Sequence, residues 1–174
     1  RKLVRDSGYP NMKVLQFASD PSDISFGNDY WPHNYGRNCV VYTGTHDNET
    51  LAGWYAGLGK DAKKQLRSYM NNNETPDEEM YKALLHLTMH TVAKDCIIPV
   101  QDHLGLDNTC RMNQPGTVGF NWRWRMLPGQ LTRELGREVL QITKRFGRAN
   151  WDALDRMKLA QKKAKATKET GSEK

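Results

Sequence analysis

Asn38-Cys39-Val40-Val41-Tyr42-Thr43-Gly44-Thr45-His46-Asp47-Asn48-Glu49-Thr50 is the segment from which the architecture can be read. Its first half is apolar, β-branched or aromatic without polar alternation, which predicts a strand over 38–44 covered on both faces. Its second half turns polar at once. Asn48 is placed to cap a helix through Leu51, Ala52, Trp54 and Tyr55, with Glu49 in the first turn. Two further runs resemble the first half. Met12-Lys13-Val14-Leu15-Gln16-Phe17-Ala18 reads as a strand after Gly8-Tyr9-Pro10, and Asp95-Cys96-Ile97-Ile98-Pro99-Val100-Gln101 as another, with Pro99 suited to a strand end or bulge.

Between the second and third runs the pattern is helical. Asp61 to Met70 predicts a polar helix. Thr75-Pro76-Asp77-Glu78 offers a capping box with proline at the first helical position, followed by Met80, Leu84, Leu87 and Thr91 on one face. A further helix is expected from Gln130 to Phe146, with Leu131, Leu135, Val139 and Ile142 aligned. Strands buried on both faces and separated by helices indicate an α/β fold with a parallel sheet and βα connections. In such folds chemistry collects on the loops leaving the C-terminal strand ends, here 19–37, 45–48 and 102–124.

Composition sets the outer limits. The chain has 174 residues, 37% hydrophobic, enough for one globular domain. Its net charge of +6 is localised: residues 144–174 carry ten Lys/Arg against four Asp/Glu, so residues 1–143 are neutral overall. The basic excess therefore belongs to a Lys/Ala-rich tail with almost no large apolar residue after Leu159, expected to be a solvated helix that frays rather than a nucleic-acid surface. No run approaches the roughly 18–20 apolar residues of a membrane span, and residues 1–6 open no apolar leader. Cys39, Cys96 and Cys110 lack the paired spacing of a metal or redox site, which favours reduced, buried thiols, no metal or other cofactor, and a cytoplasmic setting.

Four loop motifs carry candidate chemistry. Thr45-His46-Asp47-Asn48 puts an imidazole beside a carboxylate at a strand end, flanked by the small Gly44 and Thr45; the same residue types would equally make a turn and a helix cap. Trp31-Pro32-His33-Asn34-Tyr35 concentrates aromatics, an imidazole and an amide. That composition suits a sugar, which has an apolar ring face and a hydroxyl rim, and it also suits a packed loop. The same two readings apply to Arg111-Met112-Asn113-Gln114-Pro115-Gly116-Thr117 and to Asn121-Trp122-Arg123-Trp124-Arg125, where cation–π packing is expected for Arg123 and Arg125.

These blocks, with 12–18 and Val41 to Thr50, resemble in the same order the closing blocks of glycoside hydrolase family 77 over about residues 1–147. Five blocks in series make the resemblance specific. It implies a (β/α)₈ TIM barrel of the α-amylase clan, with the three strands here as the sixth to eighth. It also implies 4-α-glucanotransferase activity by a retaining double displacement on maltooligosaccharide or α-1,4-glucan. Asp47 matches the family's third catalytic carboxylate, and the nucleophile and acid/base are expected before Arg1. Substrate contacts are expected from His46, Asp20, His33, Asn34 and Asn113. Residues 1–149 would form the barrel part and 150–174 the tail, with no nucleic-acid or membrane partner. Two departures bear on substrate contact: Ser19 stands where the family usually has phenylalanine, and Trp31 where leucine is commoner. The rival readings are an α-1,4-glucan hydrolase of the same clan and a catalytically incomplete fragment that at most binds glucan.

Overall fold

The computed structural model describes residues 2–23 and 25–171. The chain divides into two compact units, Arg1–Gly136 and Arg137–Lys174. The first unit holds a three-stranded parallel sheet in the order β1-β2-β3, from β1 (Asn11–Val14), β2 (Cys39–Tyr42) and β3 (Asp95–Ile97). Asn11 pairs with Cys39 and Val14 with Tyr42, while Val40 pairs with Asp95 and Tyr42 with Ile97. All three strands therefore run the same way, and the segments after Val14, Tyr42 and Ile97 leave from one edge of the sheet.

Helix α1 (Lys2–Ser7) precedes the sheet. Helices α2 (Leu51–Gly57), α3 (Lys60–Met70) and α4 (Met80–His90) connect β2 to β3, and α5 (Val100–His103) follows β3. Helix α6 (Arg133–Arg145) crosses from one unit into the next, and α7 (Trp151–Gly171) belongs to the second. The β2-to-β3 connection is the expected helical crossover. The β1-to-β2 connection is not, because among the described residues it has only short 3-10 turns at Leu15–Phe17 and Pro32–Asn34.

Packing explains the element ends. The first strand stops at Val14 rather than at Ala18, because Leu15 and Gln16 turn inward together and are both buried. Val14, Leu15, Val41, Leu51, Leu66 and Leu84 are completely buried, each such aliphatic side chain contributing about 1.5–3 kcal/mol relative to exposure. On β2 only alternate residues, Cys39 and Val41, are fully covered, and on the outer strand β3 Ile97 is half exposed. The continuous apolar run thus overstated coverage within this chain. Tyr35, Cys39, Val41 and Ala93 form one cluster against which Cys96 packs, so two of the three free thiols sit in or beside the core.

Two caps differ from expectation. Helix α2 is capped by Thr50, whose side chain accepts from the Gly53 N–H at 3.2 Å, and not by Asn48. The capping box at Thr75 does not form: Pro76 precedes a 3-10 turn at Asp77–Glu79, and α4 starts at Met80. Asp77, in the turn that forms there, accepts from Lys63 at 2.8 Å, Arg67 at 2.7 Å and the Tyr55 hydroxyl at 3.1 Å. Helix α3 ends with Asn71 in the left-handed conformation, φ +47°, returning its N–H to the Arg67 and Ser68 carbonyls.

In the second unit, the Asn150 side chain accepts from the Ala153 N–H at 3.0 Å and so caps the start of α7, and Lys144 lies 5.8 Å from the Trp151 ring. Trp151, Met157 and Leu159 are each more than half exposed, in keeping with a solvated helix. Fraying was expected towards the end of this tail; residues 172–174 lie outside the described residues.

Candidate active site

The loops after β2 and β3 meet at the shared sheet edge, and Asp47 is where their polar groups converge. Thr45 to Asn48 is a tight turn closed by the Asn48 N–H on the Thr45 carbonyl at 3.1 Å. The Asn48 side chain accepts from both the N–H and the hydroxyl of Thr45, at 2.9 and 2.8 Å, so it shapes the turn. Gly44 leaves room for neighbours rather than for a ligand: a Cβ there would stand 2.6 Å from Gln16 Nε2 and 3.1 Å from Asn48 Cβ. Gln16, arriving from the turn after β1, uses that space to donate to the Glu49 carbonyl at 2.8 Å.

Asp47 Oδ1 accepts from Asn113 Nδ2 at 2.6 Å and lies 3.3 Å from His46 Nε2. The imidazole aims this ring nitrogen at the carboxylate, and its face lies 5.0 Å from the Trp122 ring at a 39° tilt. Both His46 and Asp47 remain half exposed. Among the described residues, Asp47 Oδ2 has no hydrogen-bond partner, so one oxygen is fixed and the other is available.

Residues 111–122 clamp this arrangement. Arg111 donates to the Asp47 carbonyl at 2.7 Å and to the Asn113 carbonyl at 2.8 Å, and lies 3.8 Å from the Glu49 carboxylate. The Asn113 N–H donates to the His46 carbonyl at 3.1 Å. Trp122 returns its N–H to the Met112 carbonyl at 2.6 Å and holds φ +63°, a left-handed conformation costly for a bulky residue. The ring beside His46 is thus bought with backbone strain. Arg123 packs over Phe120 at 5.2 Å, and Arg125 donates to the Trp122 and Trp124 carbonyls, so neither stacks on an indole.

Behind the turn lies Asp102, in α5 and 1% exposed. Its Oδ2 accepts from the Thr43 hydroxyl at 2.5 Å and its Oδ1 from the Leu51 N–H at 2.8 Å. Burial raises its pKa above the ordinary carboxylate value, and these two hydrogen bonds oppose that rise. A cleft of about 140 Å³, lined by Thr45, His46, Asn48, Pro99, Asp102 and Arg111 among others, separates the two loops.

The remaining sequence candidates are not brought into contact with Asp47. Asp20 Oδ1 accepts from the Ser22 N–H at 2.9 Å and hydroxyl at 2.6 Å, bonds that hold its pKa below the usual range. His33 places Nδ1 3.1 Å from the Tyr69 hydroxyl and Nε2 3.1 Å from the Phe26 carbonyl, and Asn34 donates to the Phe26 and Asn28 carbonyls. These side chains organise the loop after β1. Arg111, Trp122 and Asp102 were not among the sequence-derived site residues. Arg111 was legible in the block it shares with Asn113, whereas nothing in the sequence distinguishes Asp102 from a polar residue of a short helix. Among the described residues no group of three or more metal-ligating side chains occurs, and no helix is long and apolar enough to cross a membrane.

A parallel sheet with helical crossover and an anchored carboxylate at its C-terminal edge is the layout of a βα-type enzyme site. The family model described as 4-alpha-glucanotransferase, glycoside hydrolase family 77, matches residues 1–132, and the chain belongs to that family. It is 44% identical over 155 residues to the 4-alpha-glucanotransferase of Thermus thermophilus, covering 83% of this chain and 30% of that protein. To the Synechocystis 4-alpha-glucanotransferase it is 42% identical over 149 residues, 84% of this chain and 28% of the relative. A solved amylomaltase from Streptococcus agalactiae, in complex with acarbose, superposes with a TM-score of 0.79 at 34% identity, over 86% of this chain and 29% of that one. The chain thus spans about 30% of the length of the curated relatives it matches.

Proposed function

We propose that the whole protein is a 4-α-glucanotransferase, moving a segment of an α-1,4-glucan to the 4-position of glucose or another glucan by a retaining double displacement, and that Asp47 is its transition-state-stabilising carboxylate. The observation that carries this reading is the one-sided anchoring of Asp47 in a chain of this family: Oδ1 is held by Asn113 and Oδ2 has no partner among the described residues. Glycosyl transfer passes through an oxocarbenium-like state in which hydrogen bonds to neighbouring sugar hydroxyls strengthen as charge develops. A carboxylate held by one oxygen can take such a hydroxyl on the other without reorganising. His46, with Nε2 turned to Asp47, supports the carboxylate and leaves Nδ1 for a ligand.

The strands β1, β2 and β3 are assigned to the sixth, seventh and eighth positions of a (β/α)₈ barrel, a reading supported by their sequential parallel order and by the likeness to the amylomaltase fold. The nucleophile and acid/base are assigned to the part of the relatives' length that these residues do not span. Asn113 belongs on the substrate side with His46. Asp20, His33 and Asn34 would contribute through the loop they shape, and α7, beginning at Trp151, stands outside the catalytic part. The setting proposed is cytoplasmic and the partner an α-1,4-glucan or maltooligosaccharide, for which acarbose binding by the streptococcal relative is the available support.

Incubation of the whole protein with maltotriose tests the reading. A transferase yields glucose together with maltooligosaccharides longer than three units, and Asp47→Asn abolishes both. Only shorter products would establish a hydrolase instead.

A further inference from the structure

Asp102 has no place in the chemistry above, yet it is a completely buried carboxylate with both oxygens committed. Its two donors bracket the catalytic loop. Thr43 directly follows β2, Leu51 is the first residue of α2, and the seven residues 44–50 between them include His46 and Asp47. We propose that Asp102 is a positioning residue for Asp47: by holding Thr43 and Leu51 on its two oxygens it fixes both ends of the loop, and with them the direction of the Asp47 carboxylate. This rests on the reading of Asp47 as the functional carboxylate.

Neighbouring geometry supports the idea independently. Asn108 Oδ1 accepts from the Thr50 N–H at 3.2 Å and hydroxyl at 3.4 Å, and Arg111 donates to the Asp47 carbonyl at 2.7 Å. Three side chains within ten positions therefore grip the loop at Thr43, Asp47, Thr50 and Leu51. A side chain needed only to satisfy the Leu51 N–H could be a local serine or threonine cap. A side chain with two hydrogen-bonding atoms, reaching across from α5, ties both loop ends at once.

The geometry also specifies the conservative replacement. An asparagine at 102 keeps both links, its Oδ1 accepting from Leu51 N–H and its Nδ2 donating to the Thr43 hydroxyl. Alanine removes both. Because a displacement of about 1 Å can cost on the order of 10²-fold in rate, Asp102→Ala should lower kcat about 10–100-fold while KM stays within about three-fold.

The test is kcat and KM for maltotriose disproportionation by the whole protein, alongside a thermal melt, for Asp102→Ala, Asp102→Asn, Thr43→Val and Asp47→Ala. Support is a kcat-selective loss in Asp102→Ala, recovery to within about three-fold of wild type in Asp102→Asn, and a smaller kcat-selective loss in the near-isosteric Thr43→Val. A folded Asp102→Ala with wild-type kcat overturns the proposal, as does an Asp102→Asn no better than alanine. If Asp102→Ala does not fold, Thr43→Val decides: a kcat-selective loss supports the role and an unchanged kcat refutes it. Asp47→Ala separates the two readings. Should it remain active, the assignment of Asp47 falls and this role with it; should it be dead while Asp102→Ala keeps full kcat, the positioning role alone falls.

Discussion

The loops after β1 and β2 leave the same edge of one sheet, and both carry imidazole, amide and carboxylate, yet they use them in opposite ways. In residues 19–37 the polar side chains close on their own loop and on α3. Asp20 binds Ser22, Asn34 binds the Phe26 and Asn28 carbonyls, and Gln65 of α3 pins the Asp20 and Asp23 carbonyls. In residues 43–50 Asn48 closes locally on Thr45, but Asp47 and Thr43 take their partners from far along the chain, with Asn113 sixty-six positions from Asp47 and Asp102 fifty-nine from Thr43. The difference teaches that residue type does not mark a site. What marks one is a polar atom left available after neighbours from distant segments have fixed the rest of its group.

The strongest way to break this contrast is Asp47→Asn in the whole protein. The amide keeps the shape and loses the charge, so the disproportionation rate should fall at least about 10²-fold with an unchanged melt. A variant keeping above roughly a tenth of the rate would contradict the assignment. Next comes Asn113→Ala. Loss of a hydrogen bond to a charged group, about 1.5–3 kcal/mol, should lower transfer about 10–100-fold without lowering the melting temperature by much. Asn34→Ala should do the reverse, reducing the melting temperature while transfer stays within about three-fold, because two neutral bonds to loop carbonyls are lost. If Asn34→Ala costs as much activity as Asn113→Ala, the two loops are not different in kind.

The smallest effect expected concerns Asp77, a purely structural carboxylate. Hydrogen bonds from Lys63, then Arg67, lower its pKa to about 2. A depressed carboxylate stabilises the fold above the unfolded value of about 4, and that contribution is lost as pH falls towards about 2. Asp77→Asn should flatten this part of the acid stability profile. The change should be modest, since the Asp77 side chain is 52% exposed and solvent screens the pair.

Much of this organisation was legible before any coordinates. Apolar runs located the three strands, Met80 and Leu84 located α4, and the motif at 45–48 located the carboxylate. The Asn48 miss has a physical cause. Its side chain could cap a helix, but capping is a competition, and Thr45 took Asn48 through contacts that local pattern cannot rank. Asp102 was invisible for a related reason: its role depends on the register that sets β3 beside β2, a long-range fact absent from its own neighbourhood.

Helix α2 carries one more instruction, at Gly53. The Asn108 carboxamide that holds Thr50 lies over this glycine so closely that a Cβ would come within 2.2 Å of Asn108 Oδ1 and 2.4 Å of its Cγ. Glycine inside a helix is ordinarily the first target for thermostabilisation, since alanine there gains about 0.5–1 kcal/mol. Applied at this position the rule would evict Asn108 and loosen its hold on Thr50, at the end of the loop that carries Asp47. An engineer following helix propensity alone would stiffen a helix and slacken the proposed site with the same methyl group.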